Sequence, residues 1–293
     1  MPLVPFGDLL DEAARGGYAV GYFEAWDSYS LEAVLASAEL ERSPVILGFG
    51  CLMLDQEWLV NGGIEIFGSL GRAAAERSKV PVALLLNEAH TLEHALRGID
   101  AGFNTVMLAT SDPEPTAALA RHAHARGVAV EGELGTLPDG EPGGEIDASE
   151  ANLTDPDSAA AFVEATRVDA LAVSVGNVHT LEANMVEIDL GRLGRIHHAV
   201  DVPLVIHGAT SFPAEAVPAA IARGVAKFNV GTALKRTVLD GLSVRIRNLP
   251  VGESPHDLLG SHRPSDLLEA TKVPLIAKVR ELMRLYGSSG RAG

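Results

Sequence analysis

Along this chain, short continuous apolar runs alternate with longer stretches whose apolar residues recur every three or four positions. The runs are YAVGYF (18–23), PVILGF (44–49), VALLLN (82–87), TVMLAT (105–110), VAVEGEL (128–134), ALAVSVG (170–176), PLVIHG (203–208) and AKFNVG (226–231). A strand buried on both faces requires this kind of unbroken apolar stretch. The segments between them, such as SLEAVLASAELE, HTLEHALRGIDAG and AEAVPAAIARG, read as amphipathic helices. Several end in glycine, a common helix stop, just before the next run. Eight strand–helix units within 293 residues predict one (β/α)8 TIM-barrel domain spanning 1–293. A doubly wound open sheet alternates in the same way, but no G-x-G-x-x-G follows the first run. Residues 265–286 predict one or two further helices beyond the barrel, which cap it or mediate oligomerisation. The stretch GTLPDGEPGGEIDASEANLTD (135–155) is long for a strand-to-helix connection and rich in Gly, Pro and acid. It reads as a mobile lid or as a solvated excursion.

Composition narrows the partners. Hydrophobic residues make up 47%, enough for a large core, and 23 basic against 39 acidic residues give a net charge of −16. Nucleic acid is excluded as a partner, because phosphodiester binding needs clustered Lys and Arg. A small phosphorylated ligand is not excluded, since backbone N–H groups can hold it. The single cysteine, Cys51, rules out an intrachain disulfide. It predicts a reducing, cytoplasmic setting. The N-terminal residues lack the pattern of a signal peptide and no apolar stretch reaches membrane-spanning length, so no membrane partner is expected.

Barrels of this kind carry their chemistry at the C-terminal ends of the strands. There the runs deliver Glu24 with Asp27 beyond it, Asn87 and Glu88, Glu131 and Glu133, Asn177 and His179, His207, and Asn229 followed by Thr232. Two histidines and several carboxylates on one rim are the donor types that hold a divalent cation as a Lewis acid. The stretch NEAHTLEH (87–94) has a competing reading. His90, Glu93 and His94 spell H-x-x-E-H, the inverted zinc-protease pattern, which needs a helix and a third ligand downstream. The pairs His122/His124 and His197/His198 diverge around their helices and read as surface or interface residues.

Four stretches in order carry a family resemblance. They are VPLVIHGATSFPAEAVPAAIARGVAKFNVGTALKR (202–236), VEGELG (130–135), DALAVSVGNVHT (169–180) and the opening MPLVPFGDLLDEAARGGYAVGYF. Together they resemble the class II, metal-dependent ketose-bisphosphate (fructose-bisphosphate) aldolase family over nearly the whole chain. LLLNEAHTLEHALRGIDAGFNTVML (84–108) then falls where that family has Leu-Asp-His-Gly followed by a helix. The H-x-x-E-H letters become the start of that helix, with Glu93 and His94 expected on its outer surface.

The resemblance implies a reaction that joins or cleaves a carbon–carbon bond. In the family a metal polarises the ketone of a dihydroxyacetone-type donor and stabilises the enediolate, while a carboxylic acid handles the proton at the aldehyde oxygen. It implies one divalent ion per chain, zinc by resemblance, held by His179, His207 and, in place of the family's third histidine, Glu88. A carboxylate ligand keeps the site chemically sound and shifts its preference toward manganese, iron, cobalt or magnesium. Glu133 matches a position that approaches the metal.

Asn87 stands where the family has its acid/base aspartate. It cannot exchange a proton at neutral pH, although it can orient a hydroxyl or carbonyl. Another group must then move protons. Glu24, standing where the family usually has asparagine, is the first candidate, followed by Asp27 and His90. Gly208, Ala209 and Thr210 occupy the family's Gly-Gly-Ser, and Asn229, Val230, Gly231 and Thr232 match the second half of its phosphate cradle. Thr180 replaces a glycine and Ala233 an aspartate, so a single phosphate or other small oxyanion is expected, with Lys235 and Arg236 nearby. Phe23 and Trp26 are candidates for an apolar wall.

The expected function is a divalent-metal-dependent aldolase for a small sugar-phosphate, polyhydroxy or oxo-acid substrate, forming a homodimer or homotetramer as the family does. The alternatives are an isomerase, epimerase or hydrolase on the same scaffold, told apart by proton exchange without carbon–carbon cleavage, and a non-catalytic sugar-phosphate-binding protein.

Overall fold

All eight apolar runs become strands: β1 Val20–Glu24, β2 Val45–Gly50, β3 Val82–Ala89, β4 Thr105–Leu108, β5 Ala129–Leu134, β6 Ala170–Val173, β7 Leu204–Ile206 and β8 Val225–Val230. They form a closed barrel in sequence order, every pairing parallel. The computed structural model describes residues 3–138, 152–179, 186–249 and 252–293. Most of the expected lid, 139–151, and Thr180 lie outside the described residues. Among the described residues no helix is long and apolar enough to cross a membrane.

The helices are α1 Phe6–Gly16, α2 Ser28–Glu41, α3 Gln56–Trp58, α4 Ile64–Ala75, α5 Leu92–Asp100, α6 Pro113–His124, α7 Pro156–Thr166, α8 Leu190–Ala199, α9 Val217–Ile221, α10 Thr232–Arg247, α11 Pro255–Leu258 and α12 Leu267–Leu285. Their starts are written in aspartates. Asp27, Asp112, Asp155, Asp189 and Asp266 each accept a backbone N–H of the first turn that follows, satisfying donors that no carbonyl of the helix can reach. Asp27 is therefore an N-cap, in a reciprocal box with Ser30.

The core has two shells. One lies between strands and helices. The other fills the barrel, where Tyr22, Ile46, Leu85, Met107 and Val205 meet Phe6 and Leu10 of α1. The C-terminal stretch folds as one long helix, α12, although Pro274 lies inside it. One expectation is corrected. His94 is buried, not on the outer surface. The face that α5 turns inward is His94, Ala95, Gly98 and Ile99, and the helical period carries His94 with it despite its polarity.

Candidate active site

β3 ends in a distortion that aims a carboxylate. The pairing register with β4 shifts between Leu86 and Ala89, and Glu88 sits there in left-handed backbone, φ 55°. A non-glycine residue in that region costs on the order of 1–3 kcal/mol and persists only where its surroundings impose it. Glu88 Oε1 lies 3.2 Å from His207 Nδ1 and 3.8 Å from His179 Nε2, and Glu133 Oε1 lies 3.7 Å from the same His207 nitrogen.

Two donors bound at about 2.0–2.2 Å to one tetrahedral ion lie about 3.3–3.6 Å apart. The separations of Glu88, His179 and His207 bracket that spacing, and all three ligand atoms fall within 4.8 Å of one another. The residues present therefore fit a divalent cation.

Behind these groups runs a buried polar chain. His207 Nε2 is 2.9 Å from Glu131 Oε1, and Lys227 Nζ donates to Glu131 Oε2. Glu131 and Lys227 are both 0% exposed. A carboxylate on the far nitrogen of a ligating histidine fixes its ring and tautomer. Sequence reasoning placed Glu131 at the rim without this role and missed Lys227, since a lysine in a strand carries no signal of a partner on a distant strand. Lys227→Met leaves buried Glu131 with His207 as its remaining cationic partner and should destabilise the fold by about 1–3 kcal/mol. Urea denaturation measures this, and adding Glu131→Gln should recover part of the loss.

Burial and charged neighbours compete at five of these groups. For His207 it acts downward, but the hydrogen bonds to Glu131 and Glu88 outweigh it and hold the imidazolium up to about 10. Burial raises Glu88 and Glu131, yet their cationic neighbours leave both below the usual carboxylate range. Glu133 has less compensation, and burial lifts it to about 7. Lys227 is lowered by burial, opposed by Glu131.

Because His207 binds its proton more tightly folded than unfolded, its contribution to stability is complete below its ordinary 6.5 and vanishes as pH passes about 10. In chelator-treated protein, the gap in denaturation midpoint between wild type and His207→Asn should narrow as pH rises through that window.

A glycine-rich cradle begins directly after His207. Gly208 has φ 64° and a Cβ there would sit 2.1 Å from the Val178 carbonyl oxygen, so only glycine fits. Ala209 N–H donates to Asn229 O, and Ala233 N–H donates to Thr210 Oγ1, tying the β7 loop to the first turn of α10. The helix's own N-cap, Gly231, has no side chain to offer, so Thr210 supplies the cap for Ala233 N–H, while the Leu234 and Lys235 N–H groups bond the Gly231 carbonyl. Asn229 is nearly buried, and neither of its amide atoms has a hydrogen-bond partner.

A cavity of about 400 Å³ joins the two halves, lined among others by Tyr22, Glu24, Asn87, Glu88, His179, His207, Asn229 and Lys235. Glu24 Oε1 accepts from Lys235 Nζ at 2.7 Å. Burial raises the Glu24 carboxyl above its usual range although Lys235 pulls it down. Gly208, Thr210, Gly231 and Thr232 also line this cavity, with Arg236.

The other expected residues lie elsewhere. His90 Nε2 is 2.9 Å from the Cys51 carbonyl oxygen, bracing the ends of β2 and β3 rather than lining the cavity. Phe23 is buried in the outer shell and Trp26 packs against it. Asn177 locks its own loop through Val175 N–H and the Val173 and His207 carbonyls. His124 bonds Asp169, and neither it nor His122, His197 or His198 lines the cavity.

A parallel α/β barrel with its polar groups gathered at the C-terminal rim belongs to the class of barrels that work as enzymes at that rim. The family model for class-II fructose-bisphosphate aldolase matches residues 4–291. The chain is 31% identical over 290 residues to the sulfofructosephosphate aldolase of Alkalicoccus urumqiensis, covering 97% of this chain and 96% of that one. It is 32% identical over 303 residues to the fructose-bisphosphate aldolase of Geobacillus stearothermophilus, covering 100% and 99%. Among solved structures it is similar to the YdjI aldolase from Escherichia coli K12, with a TM-score of 0.80 and 27% identity over 99% of this chain and 100% of that one. This chain belongs to the class-II fructose-bisphosphate aldolase family and is an aldolase, a carbon–carbon lyase.

Proposed function

We propose that this aldolase depends on a divalent metal and acts on a small polyhydroxy or oxo-acid substrate carrying one phosphate or similar anionic group. The observation that carries the reading is the convergence of Glu88, His179 and His207 within ligand spacing, in the same cavity that Gly208 and Asn229 line. Glu88, His179 and His207 would hold the ion, which when bound polarises the substrate ketone and offsets the charge that develops beside it. The carboxylate among these ligands admits manganese, cobalt, iron or magnesium beside zinc.

The chain's own groups divide the remaining work. Backbone and side chains of Gly208, Ala209, Thr210, Asn229, Gly231 and Thr232 seat the anionic end. Asn87 orients a substrate hydroxyl. In the cleavage direction Glu24 takes the proton from the hydroxyl at the far side of the breaking bond. The O–H pair becomes the new carbonyl, and the carbon–carbon pair moves toward the ketone. Glu133, lifted to about 7, then returns a proton to the donor carbon; a group near the working pH serves both directions. His90 acts at one remove, by fixing the end of β2.

The carboxylates at 24 and 88 and the amide at 87 favour a substrate other than fructose bisphosphate, within a family whose relatives are named for both a fructose bisphosphate and a sulfofructose phosphate. The test is exchange of the carbon-bound protons of dihydroxyacetone phosphate in deuterated water by the metal-loaded protein, followed by addition to a panel of aldehydes. Exchange that disappears with chelator and returns with the ion supports the reading. Absence of exchange and addition with every ion overturns it.

A further inference from the structure

The cavity holds a buried hydroxyl that the reaction described above does not use. Tyr22 is 3% exposed, lines the cavity and has no hydrogen-bond partner for its hydroxyl. A buried hydroxyl without a partner is costly and calls for an explanation.

Its orientation is imposed by neighbours. A Cβ at Gly48 would lie 2.2 Å from ring atom Cε2, so the missing side chain on β2 is what lets the ring lean across that strand. The Lys227 ammonium sits 5.1 Å from the ring centroid and holds the face of the ring. The hydroxyl then points toward Gly50. The place where a Cβ of Gly50 would stand is 3.9 Å from the Tyr22 oxygen and 3.2 Å from Glu24 Oε1. Gly50 is the register partner of Asn87, and Asn229 is the register partner of Tyr22. Tyr22, Glu24 and Asn87 thus face one space left open by glycine, and Asn87 Oδ1 is also without a partner.

We propose that Tyr22 is a catalytic residue of the carbon–carbon step, its hydroxyl donating a hydrogen bond to the substrate oxygen that alternates between hydroxyl and carbonyl. This rests on the aldolase reading given above. The work of one carboxylic acid is divided: Glu24 carries the proton and Tyr22 steadies the oxygen while its charge is exposed. Tyr22 keeps its own proton throughout, so the step balances without a further acid. Burial, with Glu24 and Glu88 nearby, pushes its phenol well above the ordinary range, which keeps it a donor.

The experiment compares wild type and Tyr22→Phe, both loaded with the same divalent ion. One measurement is deuterium exchange into dihydroxyacetone phosphate, which needs no aldehyde. The other is its addition to D-glyceraldehyde 3-phosphate and glycolaldehyde. Exchange should stay within about threefold while addition falls by about 10²-fold or more, the usual cost of one oxyanion donor. Because the hydroxyl bonds nothing in the fold, Tm should be unchanged or higher. Asn87→Asp in the Tyr22→Phe background should restore part of the addition rate, since it brings an O–H to the same oxygen.

Addition at the wild-type rate in Tyr22→Phe overturns the assignment, as does a loss of exchange in step with addition or the absence of any rescue. Wild type that neither exchanges nor adds overturns the aldolase reading itself, and the assignment with it.

Discussion

Glu24→Gln is expected to lower turnover by about 10²–10⁴-fold, the usual contribution of a positioned proton-transfer group, with little change in fold. The carboxyl is seated in a gap that two glycines leave. A Cβ on Gly231 would fall 2.1 Å from Glu24 Oε2, and one on Gly50 would fall 3.2 Å from Oε1. Glutamine has the same length, fits that gap and still accepts from Lys235. What it loses is the capacity to exchange a proton.

The pH profile separates this role from simple substrate contact. In cleavage, Glu24 works as the carboxylate, so kcat/KM falls as the medium becomes acid enough to protonate it. Burial raises that limb, and Lys235 pulls it down. Lys235→Met removes the downward pull, so the limb should move to higher pH. In Glu24→Gln it should vanish. A Glu24→Gln enzyme with wild-type turnover and an intact acid limb would remove Glu24 from the proton path.

The second large effect is on metal content. Protein purified without chelators is expected to carry about one divalent ion per chain, and Glu88→Ala and His207→Ala should carry almost none. Both should lose activity by more than about 10³-fold, the scale on which a Lewis acid acts. His207→Ala has a further consequence, because Glu131 and Glu133 lose the imidazolium that faces both in the metal-free state. That variant should be less stable as well as inactive. Glu88→Ala removes one partner of His207 but leaves Glu131 on its other nitrogen, so its metal-free form should lose less stability than His207→Ala. Elemental analysis beside urea denaturation distinguishes the two. Full metal retention in both variants would place the ion elsewhere.

The barrel was legible because a parallel sheet buried on both faces has to be written as unbroken apolar runs, and all eight were read within a few residues of their ends. The rim was legible for the same reason: once strand ends are known, Glu24, Glu88, His179 and His207 follow by position. What stayed hidden depends on distances that no local pattern carries. Glu131 and Lys227 are 96 positions apart, and Glu24 and Lys235 are 211 apart. His94 was misread because a polar side chain was taken as evidence for solvent, although the period of α5 turns it inward. α1 went unremarked because its apolar positions face a barrel end that exists only after closure. Tyr22 stands in the first apolar run with nothing local to mark its hydroxyl. The signal that could have exposed it is the glycine at 48, one strand over and two residues further along in register.

That glycine belongs to a set with an evolutionary consequence. Tyr22 needs Gly48, and Glu24 needs Gly231 and the room above Gly50. A substitution at any of these glycines collides with a side chain that only the set as a whole explains. Among relatives, the five positions should therefore change as a block, and a route between this rim and one with asparagine at 24 must open the glycine positions before it fills them. An engineer who grafts Glu24 alone onto another member of the family would import the carboxylate without the space it occupies.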